Sequence, residues 1–165
     1  MRNDIPAHDE DPVTAALLAP YGVRVGTPEE ADVAVVFVES PACNPYSAAD
    51  AESGGNGYLP ITLQYRPYTA DTARAESIAG GDFREGFTNR SYRGKTNIAY
   101  NESDLDNILA CRRAMGEKPV VVCATLNNPM VMREFERDAD AIVVEFGVSR
   151  AAVLDVVFGD YEPTG

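Results

Sequence analysis

Three carboxylic acids are the side chains best placed for chemistry, and all three lie at or shortly after the end of the first strongly apolar run. Glu39 directly follows that run, and Asp50 and Glu52 come after it. Ligands of open α/β sheets bind beyond the carboxyl ends of the strands, so a strand ending at Glu39 would place these acids near such a site. A carboxylic acid can protonate a leaving group, and a carboxylate can accept a proton from water. These residues are therefore the candidates for proton-transfer chemistry.

Glu52 is followed by a glycine-rich run, SGGNGY, which spans residues 53–58. A flexible run of this kind can bring a carboxyl to a substrate, and Asn56 and Tyr58 within it are candidates to line the site. Cleavage of a glycosidic bond normally uses two acids on either side of the bond. The sequence offers no second acid in a comparable setting, so a solvated surface carboxylate is the alternative interpretation of Glu52.

Other catalytic chemistries lack the residues that they need. No glycine-rich phosphate-binding motif follows the strand that ends at Glu39, which disfavours nucleotide binding. The single histidine, His8, lies in a polar segment, and the three cysteines do not have metal-ligand spacing. A zinc site and a Ser-His-Asp triad are therefore disfavoured. We expect no cofactor and no metal.

Length and charge limit the classes of partner. The chain has 165 residues, which predicts a single domain over residues 1–165. The net charge of −12 argues against nucleic acid and anionic membranes, because phosphate neutralisation needs clustered Lys and Arg. No run approaches the roughly 18 apolar residues of a membrane helix. The polar N-terminus lacks a signal-peptide core, which favours a soluble, cytoplasmic protein over a secreted one.

Three apolar, β-branched runs have the pattern of strands buried on both faces of a parallel sheet: Asp32–Val38, Lys118–Ala124 and Ala141–Phe146. Helical segments are predicted at Glu102–Met115, Pro129–Arg137 and Arg150–Phe158. The alternation of helices and strands predicts an α/β fold, a three-layer sandwich whose mostly parallel sheet is flanked by helices in a right-handed, flavodoxin-like wind. Gly116 and Gly159 are predicted to end two of the helices.

The remaining segments give weaker signals. At the N-terminus, the sequence predicts a helix that starts at Asp11-Pro12 and covers Val13–Leu18, a short strand at Val23–Val25 and a second helix start at Thr27-Pro28. Residues 40–96 are predicted to form a long loop insertion, with short elements at Leu63–Tyr65 and Thr69–Ile78. Its polar and aromatic composition suits a surface that covers a ligand or a neighbouring domain, and a decorative insertion is the alternative.

Three segments resemble the C-terminal α/β domain of family-3 glycoside hydrolases. ADVAVVFVE, residues 31–39, resembles the strand "ADvaivvvGE" of that family, and KPVVV, residues 118–122, resembles its strand "kPvVvvl". GVSRAAVLDVVFGDYEPTG, residues 147–165, resembles its closing helix and its exit "lfGdynPsGrLP". The chain departs from the pattern at Val38, where the family has glycine. From the resemblance we expect it to be a fragment without the first strand–helix unit and the N-terminal barrel.

The resemblance implies a retaining, exo-acting, beta-glucosidase-like enzyme with a carbohydrate substrate. In that family the barrel supplies an Asp nucleophile, and in several members the α/β domain lends the acid/base Glu. Glu52 is the best match, because ESGGNG resembles the family's E-x-K-G-D-N run, and Glu39 and Asp50 are the substitutes. We then expect a fragment that is inactive without its barrel domain, and a missing first strand would expose a sheet edge on which a homodimer could form.

Two alternatives of other classes stay open. The first is a non-catalytic α/β domain that binds sugar or packs against another domain. The second is a free-standing, flavodoxin-like binding protein, which the missing glycine-rich turn disfavours.

Overall fold

The computed structural model describes residues 15–78 and 83–163. A parallel sheet of three strands lies at its centre, in the order β1-β4-β5. The elements, in chain order, are α1 (Ala15–Leu18), β1 (Ala34–Glu39), α2 (Ala48–Glu52), β2 (Tyr68–Thr69), β3 (Thr96–Asn97), α3 (Ser103–Met115), β4 (Val120–Thr125), a 3-10 helix (Met132–Glu134), β5 (Ala141–Glu145) and α4 (Arg150–Val157). The predicted small α/β fold with a mostly parallel sheet is confirmed.

The two longer helices begin and end within one residue of the predicted bounds. Ser149 caps α4, and its hydroxyl accepts a hydrogen bond from the Ala152 N–H at 3.3 Å. At the end of α3, Gly116 adopts φ +60° and its N–H donates to the Arg112 carbonyl at 3.1 Å. A positive φ costs glycine little, so this residue can close the helix.

The main apolar core lies between α3 and the sheet. Leu105 and Ile108 of α3 are buried in one cluster with Val38, Val122 and Ala124 of β1 and β4, and with Tyr65, Ala99 and Phe135 from other segments. Full burial of each large apolar side chain is worth about 1.5–3 kcal/mol relative to exposure. Two members, Tyr65 and Ala99, belong to the chain between β1 and α3, so that stretch packs into the core.

Residues 40–96 form an ordered insertion in their described part, with few regular elements. β2 and β3 pair in antiparallel fashion, and the Thr69 and Thr96 hydroxyls lie 2.7 Å apart. The buried Tyr65 side chain attaches the insertion to the sheet, because its hydroxyl donates to the Glu39 carbonyl at 2.5 Å. The Tyr65 N–H also donates to a Glu134 carboxylate oxygen at 2.6 Å. The prediction of a long insertion without extended regular structure agrees with this arrangement.

Two N-terminal predictions are wrong. Val23–Val25 is not a strand, and Val23 is 89% exposed. Thr27-Pro28 starts only a turn, in which the Glu30 N–H donates to the Thr27 carbonyl at 3.2 Å. Val23 and Val25 flank the charged Arg24, and residues 27–30 lie only a few positions ahead of β1, so neither segment is long enough to offset the cost of nucleating regular structure. The predicted helix start at Asp11-Pro12 lies outside the described residues, and the described part of that helix is Ala15–Leu18.

The helix predicted at Pro129–Arg137 is reduced to the 3-10 turn Met132–Glu134. Competing contacts explain the difference: the Val131 N–H donates to the Leu63 carbonyl at 2.7 Å, and the Glu134 carboxylate accepts from two backbone N–H groups of the insertion. The elements predicted at Leu63–Tyr65 and Thr69–Ile78 are also wrong. Bends and turns replace them, apart from β2.

Every helix within residues 15–78 and 83–163 is too short or too polar to cross a lipid bilayer.

Candidate functional site

The carboxyl end of the sheet brings together the last residues of its three strands. Glu39 of β1 lies opposite Thr125 of β4, which lies opposite Glu145 of β5. Such an edge is where open α/β sheets bind ligands. The strand pattern predicts Glu39 at this edge but does not predict Glu145, which is one polar residue at the end of an apolar run.

Glu145 is a buried carboxylate whose acceptor positions are used within the protein. It accepts hydrogen bonds from the Thr125 hydroxyl and the Gly147 N–H, and from the Val148 N–H at 2.8 Å. Burial alone would raise the pKa of this carboxyl, but these hydrogen bonds and the Arg150 charge outweigh it and bring the pKa below its usual range. Glu145 therefore stays ionised and fixes the turn that leads into α4.

Glu39 has a fixed backbone and an exposed side chain. Its N–H donates to an Asp104 carboxylate oxygen at 3.2 Å, and its carbonyl accepts from Tyr65. The Glu39 carboxylate has a long contact of 3.5 Å to the Asn127 amide nitrogen. This carboxyl is accessible, at the end of a strand whose position is set by its neighbours.

Asp50 is held in a charged network inside the insertion. Its carboxylate accepts from the Lys95 ammonium at 2.6 Å and from the Gly57 N–H at 2.7 Å. These two donors, Lys95 first, keep the pKa of the Asp50 carboxyl below its usual range. A carboxyl that stays ionised is a poor proton donor near neutral pH, so this geometry favours a structural role for Asp50.

Asn56 belongs to the same network. Its amide oxygen accepts from the Lys95 ammonium at 2.7 Å, and its amide nitrogen donates to the carbonyls of Asn89 and Ser91 at 2.7 and 2.8 Å. Asn56 therefore connects the beginning of the insertion to its end. Lys95, which no sequence pattern predicts as a site residue, joins Asp50 to Asn56. It lies 45 positions beyond Asp50, so no local pattern indicates the contact.

Glu52 is the exposed carboxyl beside this network. It is the last residue of α2, the helix that Ser47 caps by accepting from the Asp50 N–H at 3.2 Å. Within the described residues its carboxylate makes no hydrogen bond or ion pair. The run that follows it is more ordered than predicted: the Gly55 N–H donates to the Asp50 carbonyl at 2.8 Å, and Gly54 turns the chain with φ +91°. Glu52 thus projects from an ordered helix end.

Tyr58 sits in an aromatic cluster of the insertion. Its ring packs edge-on against Tyr46 and Phe87, with centroids 6.1 and 6.0 Å away. Its hydroxyl lies 3.3 Å from Glu85, which also accepts two hydrogen bonds from Arg90 at 2.9 and 2.7 Å. Tyr58 and Asn56 are therefore partly occupied by contacts within the insertion, and Tyr46, about half exposed, is the ring of this cluster open to solvent.

The structure separates the predicted site residues into two groups. Asp50 and Asn56 share Lys95, with Glu52 two residues beyond Asp50, whereas Glu39 contacts the loops at the end of the sheet. No hydrogen bond or ion pair in the described part of the chain links Glu39 to the other predicted residues. The arrangement offers two exposed carboxyls, Glu39 and Glu52, each on a fixed backbone.

Within the described ranges, no group of three or more His, Cys, Asp or Glu side chains could hold a metal ion. His8 lies outside them. The three cysteines are free thiols, and burial raises the pKa of Cys123 to about 11 and also raises that of Cys111. Cys123 therefore stays protonated near neutral pH.

Comparisons of the chain with protein-family models, with curated proteins and with solved structures give no match.

Proposed function

We propose that this chain is an α/β domain of a retaining glycoside hydrolase, in which it completes the active site of a barrel domain and presents Glu52 as the general acid/base. The observation that carries this proposal is the setting of Glu52: an exposed carboxyl on an ordered helix end, in the insertion that follows β1. The resemblance of three segments to family-3 glycoside hydrolases supplies the reaction class.

The proposed architecture is a three-layer sandwich with a flavodoxin-like wind. Side chains alternate between the two faces of a strand, so Phe37 points away from Val36 and Val38. Val38 packs with α3, and the Arg150 guanidinium of α4 lies 4.1 Å from the centroid of the Phe37 ring. These contacts support one helix layer on each face of the sheet.

The network around Asp50 supports a division of roles between neighbouring acids. Asp50 remains ionised because Lys95 and the Gly57 N–H hold it, so it can fix α2 without exchanging protons. Glu52, two residues further on, is free of such contacts among the described residues and is accessible to a substrate. A substrate carried by a second domain would meet Glu52 before it met Asp50.

In the proposed reaction, the Glu52 carboxyl donates its proton to the glycosidic oxygen while the bond from that oxygen to the anomeric carbon breaks. A carboxylate of the barrel domain forms the bond to the anomeric carbon. In the second step the Glu52 carboxylate takes a proton from water, whose oxygen attacks the anomeric carbon while the bond from that carbon to the barrel carboxylate breaks, which frees both the sugar and the nucleophile. The nucleophile comes from the partner domain, so the chain alone is not expected to hydrolyse glycosides.

The test uses a polypeptide that contains both this chain and a barrel domain. Glu52→Gln should lower the hydrolysis of alkyl glycosides by roughly 10²–10⁴-fold, the usual contribution of a general acid. Activated aryl glycosides need little protonation, so their glycosylation step should slow far less. Glu39→Gln is the matched control, because Glu39 is the exposed carboxyl at the end of the sheet, away from the Asp50 network. An equal loss on both substrate types, or none on either, would contradict an acid role for Glu52.

A second candidate is a non-catalytic domain that packs against another domain. Large exposed apolar side chains lie near the carboxyl end of the sheet: Phe146 is 79% exposed, Val148 54% and Tyr100 76%. Such residues are typical of a surface that a partner covers. If Glu52→Gln leaves all activity intact while Phe146→Ser separates the domains in limited proteolysis, the packing function is favoured.

A further inference from the structure

The outer edge of β1 borders a cavity of about 730 Å³. β1 forms its floor, α3 and α4 contribute side chains to its walls, and residues 22–27 line it as well. Apolar groups dominate the lining, among them Val23, Val25, Val35, Phe37, Met115 and Phe158. The volume falls within the range of roughly 300–1,000 Å³ that is typical of ligand sites.

The floor of the cavity carries unpaired backbone groups. The N–H groups of Ala34 and Ser40 donate to carbonyls on the β4 side, at 3.0 and 2.9 Å. Because these groups alternate along a strand, those of Val35 and Phe37 point away from β4. Among the described residues β1 pairs with β4 alone, so these outward groups have no strand partner. Alternating donors and acceptors at strand spacing match the backbone of another extended chain.

The cavity wall opposite β1 is fixed in place. Tyr21 stacks on Phe158 with ring centroids 4.9 Å apart, and its hydroxyl donates to Asp155. Further along, the Lys118 ammonium donates to the carbonyls of Pro28 and Ala31 at 3.0 and 2.8 Å. Exposed Val23 and Val25 lie between these two attachments. An extended apolar segment in the cavity would cover both valines and both faces of the β1 edge.

Charge selects among possible segments. Exposed carboxylates stand near both ends of the β1 edge, Asp32 before it and Glu39 at its end, and the cavity lining adds Glu30 and one cation, Arg24. A second copy of the chain would bring the same acids, because antiparallel pairing about Val36 sets the Glu39 end of one copy near the Asp32 end of the other. Each copy also carries a charge of −12. Complementarity therefore favours a segment with cations at its ends.

We propose that the β1 edge binds an extended, apolar segment of a partner protein, flanked by Lys or Arg, as an added strand of the sheet. The backbone groups of Val35 and Phe37 would pair with the segment, and Asp32 and Glu39 would attract its ends. The proposal is independent of the proposed glycosidase function, because it uses the opposite side of β1 from β4 and no residue of the Asp50 network.

The probe is the peptide acetyl-Lys-Val-Thr-Val-Thr-Val-Lys-amide, titrated into the whole chain by calorimetry. Two matched peptides separate the contribution of backbone pairing from that of charge. One carries N-methyl groups on alternate amides, and the other has Glu in place of both Lys residues. We expect the first peptide to bind, the N-methylated one to lose binding and the Glu-flanked one to bind at least about tenfold more weakly, a difference of about 1.4 kcal/mol. No binding at about 1 mM peptide, or equal binding of the N-methylated form, would overturn the proposal.

A variant of the protein gives an independent test. Val35→Pro removes an N–H that faces the cavity and leaves the pairing with β4, a position at which an edge strand tolerates proline. It should abolish peptide binding, and Val35→Lys should weaken it at least about tenfold by placing a cation beside the cationic peptide. If Val35→Pro does not fold, Val35→Lys and the N-methylated peptide still test the proposal. A dimer of the wild-type chain that Val35→Lys dissociates would assign the edge to a second copy and overturn the proposal.

Discussion

The sheet and the insertion of residues 40–96 are stabilised in different ways. β1, β4 and α3 bury apolar side chains against one another, whereas the insertion is held by side chains that bond to backbone groups and to each other. Asn56 donates to two carbonyls, Asp50 accepts from Lys95 and from the Gly57 N–H, and Glu134 accepts from two N–H groups. An apolar core tolerates small changes in the shape of its side chains, whereas a hydrogen-bond network is disrupted when a single donor or acceptor is removed.

This difference predicts where each kind of substitution acts. Changes in the sheet should lower the stability of the whole domain, because its core is shared by β1, β4, α3 and part of the insertion. Changes in the insertion network should open the insertion and leave the sheet folded.

The largest effect is expected from the sheet core. Ile108→Ala removes a fully buried side chain of α3 and leaves a cavity, which should cost about 2–5 kcal/mol of the free energy of unfolding in urea denaturation. Asn107→Ala on the exposed side of the same helix is the control and should change stability by less than about 0.5 kcal/mol. A loss at Ile108 no larger than that of the control would contradict this account of the core.

Two glycines of the insertion separate backbone strain from packing. Gly54 and Gly57 both have positive φ, +91° and +76°, but a Cβ on Gly57 would lie 2.3 Å from the Tyr46 ring while one on Gly54 meets nothing within 4 Å. Gly54→Ala should cost about 1–2 kcal/mol for the left-handed backbone. Gly57→Ala should cost about 1–3 kcal/mol more, because the ring must move. Equal losses in thermal unfolding would show that Tyr46 moves freely.

Lys95→Met is the sharpest local test of the insertion. It removes the ion pair with Asp50 and the hydrogen bond to Asn56 and keeps most of the apolar part of the side chain. Amide hydrogen exchange should accelerate in residues 47–58 and 89–96 while β4 stays protected. Arg93→Met removes the same charge from an exposed side chain nearby and should leave exchange unchanged. Acceleration throughout the sheet would mean that the two regions unfold together.

The smallest effect is expected from pH, and it again distinguishes the regions. The pKa of Asp50 is lowered by Lys95 and the Gly57 N–H, and that of Asp140 by the Val120 N–H and Arg112. Their stabilisation is complete above the ordinary Asp pKa of about 3.9 and is lost as pH falls through the lowered values.

Asp50→Asn should therefore reduce the acid-induced loss of exchange protection in the insertion, and Asp140→Asn should instead reduce the acid-induced fall of the urea midpoint. If neither substitution changes the response to acid, other carboxyls dominate the loss of stability in this pH range.

Sequence patterns predicted the sheet because its signals are local. β1, β4 and β5 are continuous apolar runs, and α3 ends at a glycine, so periodicity and caps were sufficient. The helix predicted at Pro129–Arg137 failed because its backbone and Glu134 bond to residues near position 65. A partner so distant in the chain leaves no mark on the local pattern.

The candidate site was predictable in part for the same reason. The position of Glu39 at the end of β1 followed from the strand pattern. The pairing of Asp50 with Lys95 did not, because the insertion has no periodicity that would fix which residues meet. The order of the run after Glu52 also has no local signal, because a glycine-rich run predicts flexibility whereas these glycines permit tight turns around Asp50.

The buried phenol of Tyr65 gives the domain a built-in optical signal. Burial, and the nearby carboxylates after it, raise the pKa of this hydroxyl above the usual range of tyrosine, and its proton is engaged with the Glu39 carbonyl. Its stabilising effect is present below the ordinary tyrosine pKa of about 10 and declines at higher pH. In an alkaline absorbance titration of the eight tyrosines, Tyr65 should therefore be among the last to ionise. The late absorbance step from Tyr65 would then record the moment at which the insertion leaves the sheet.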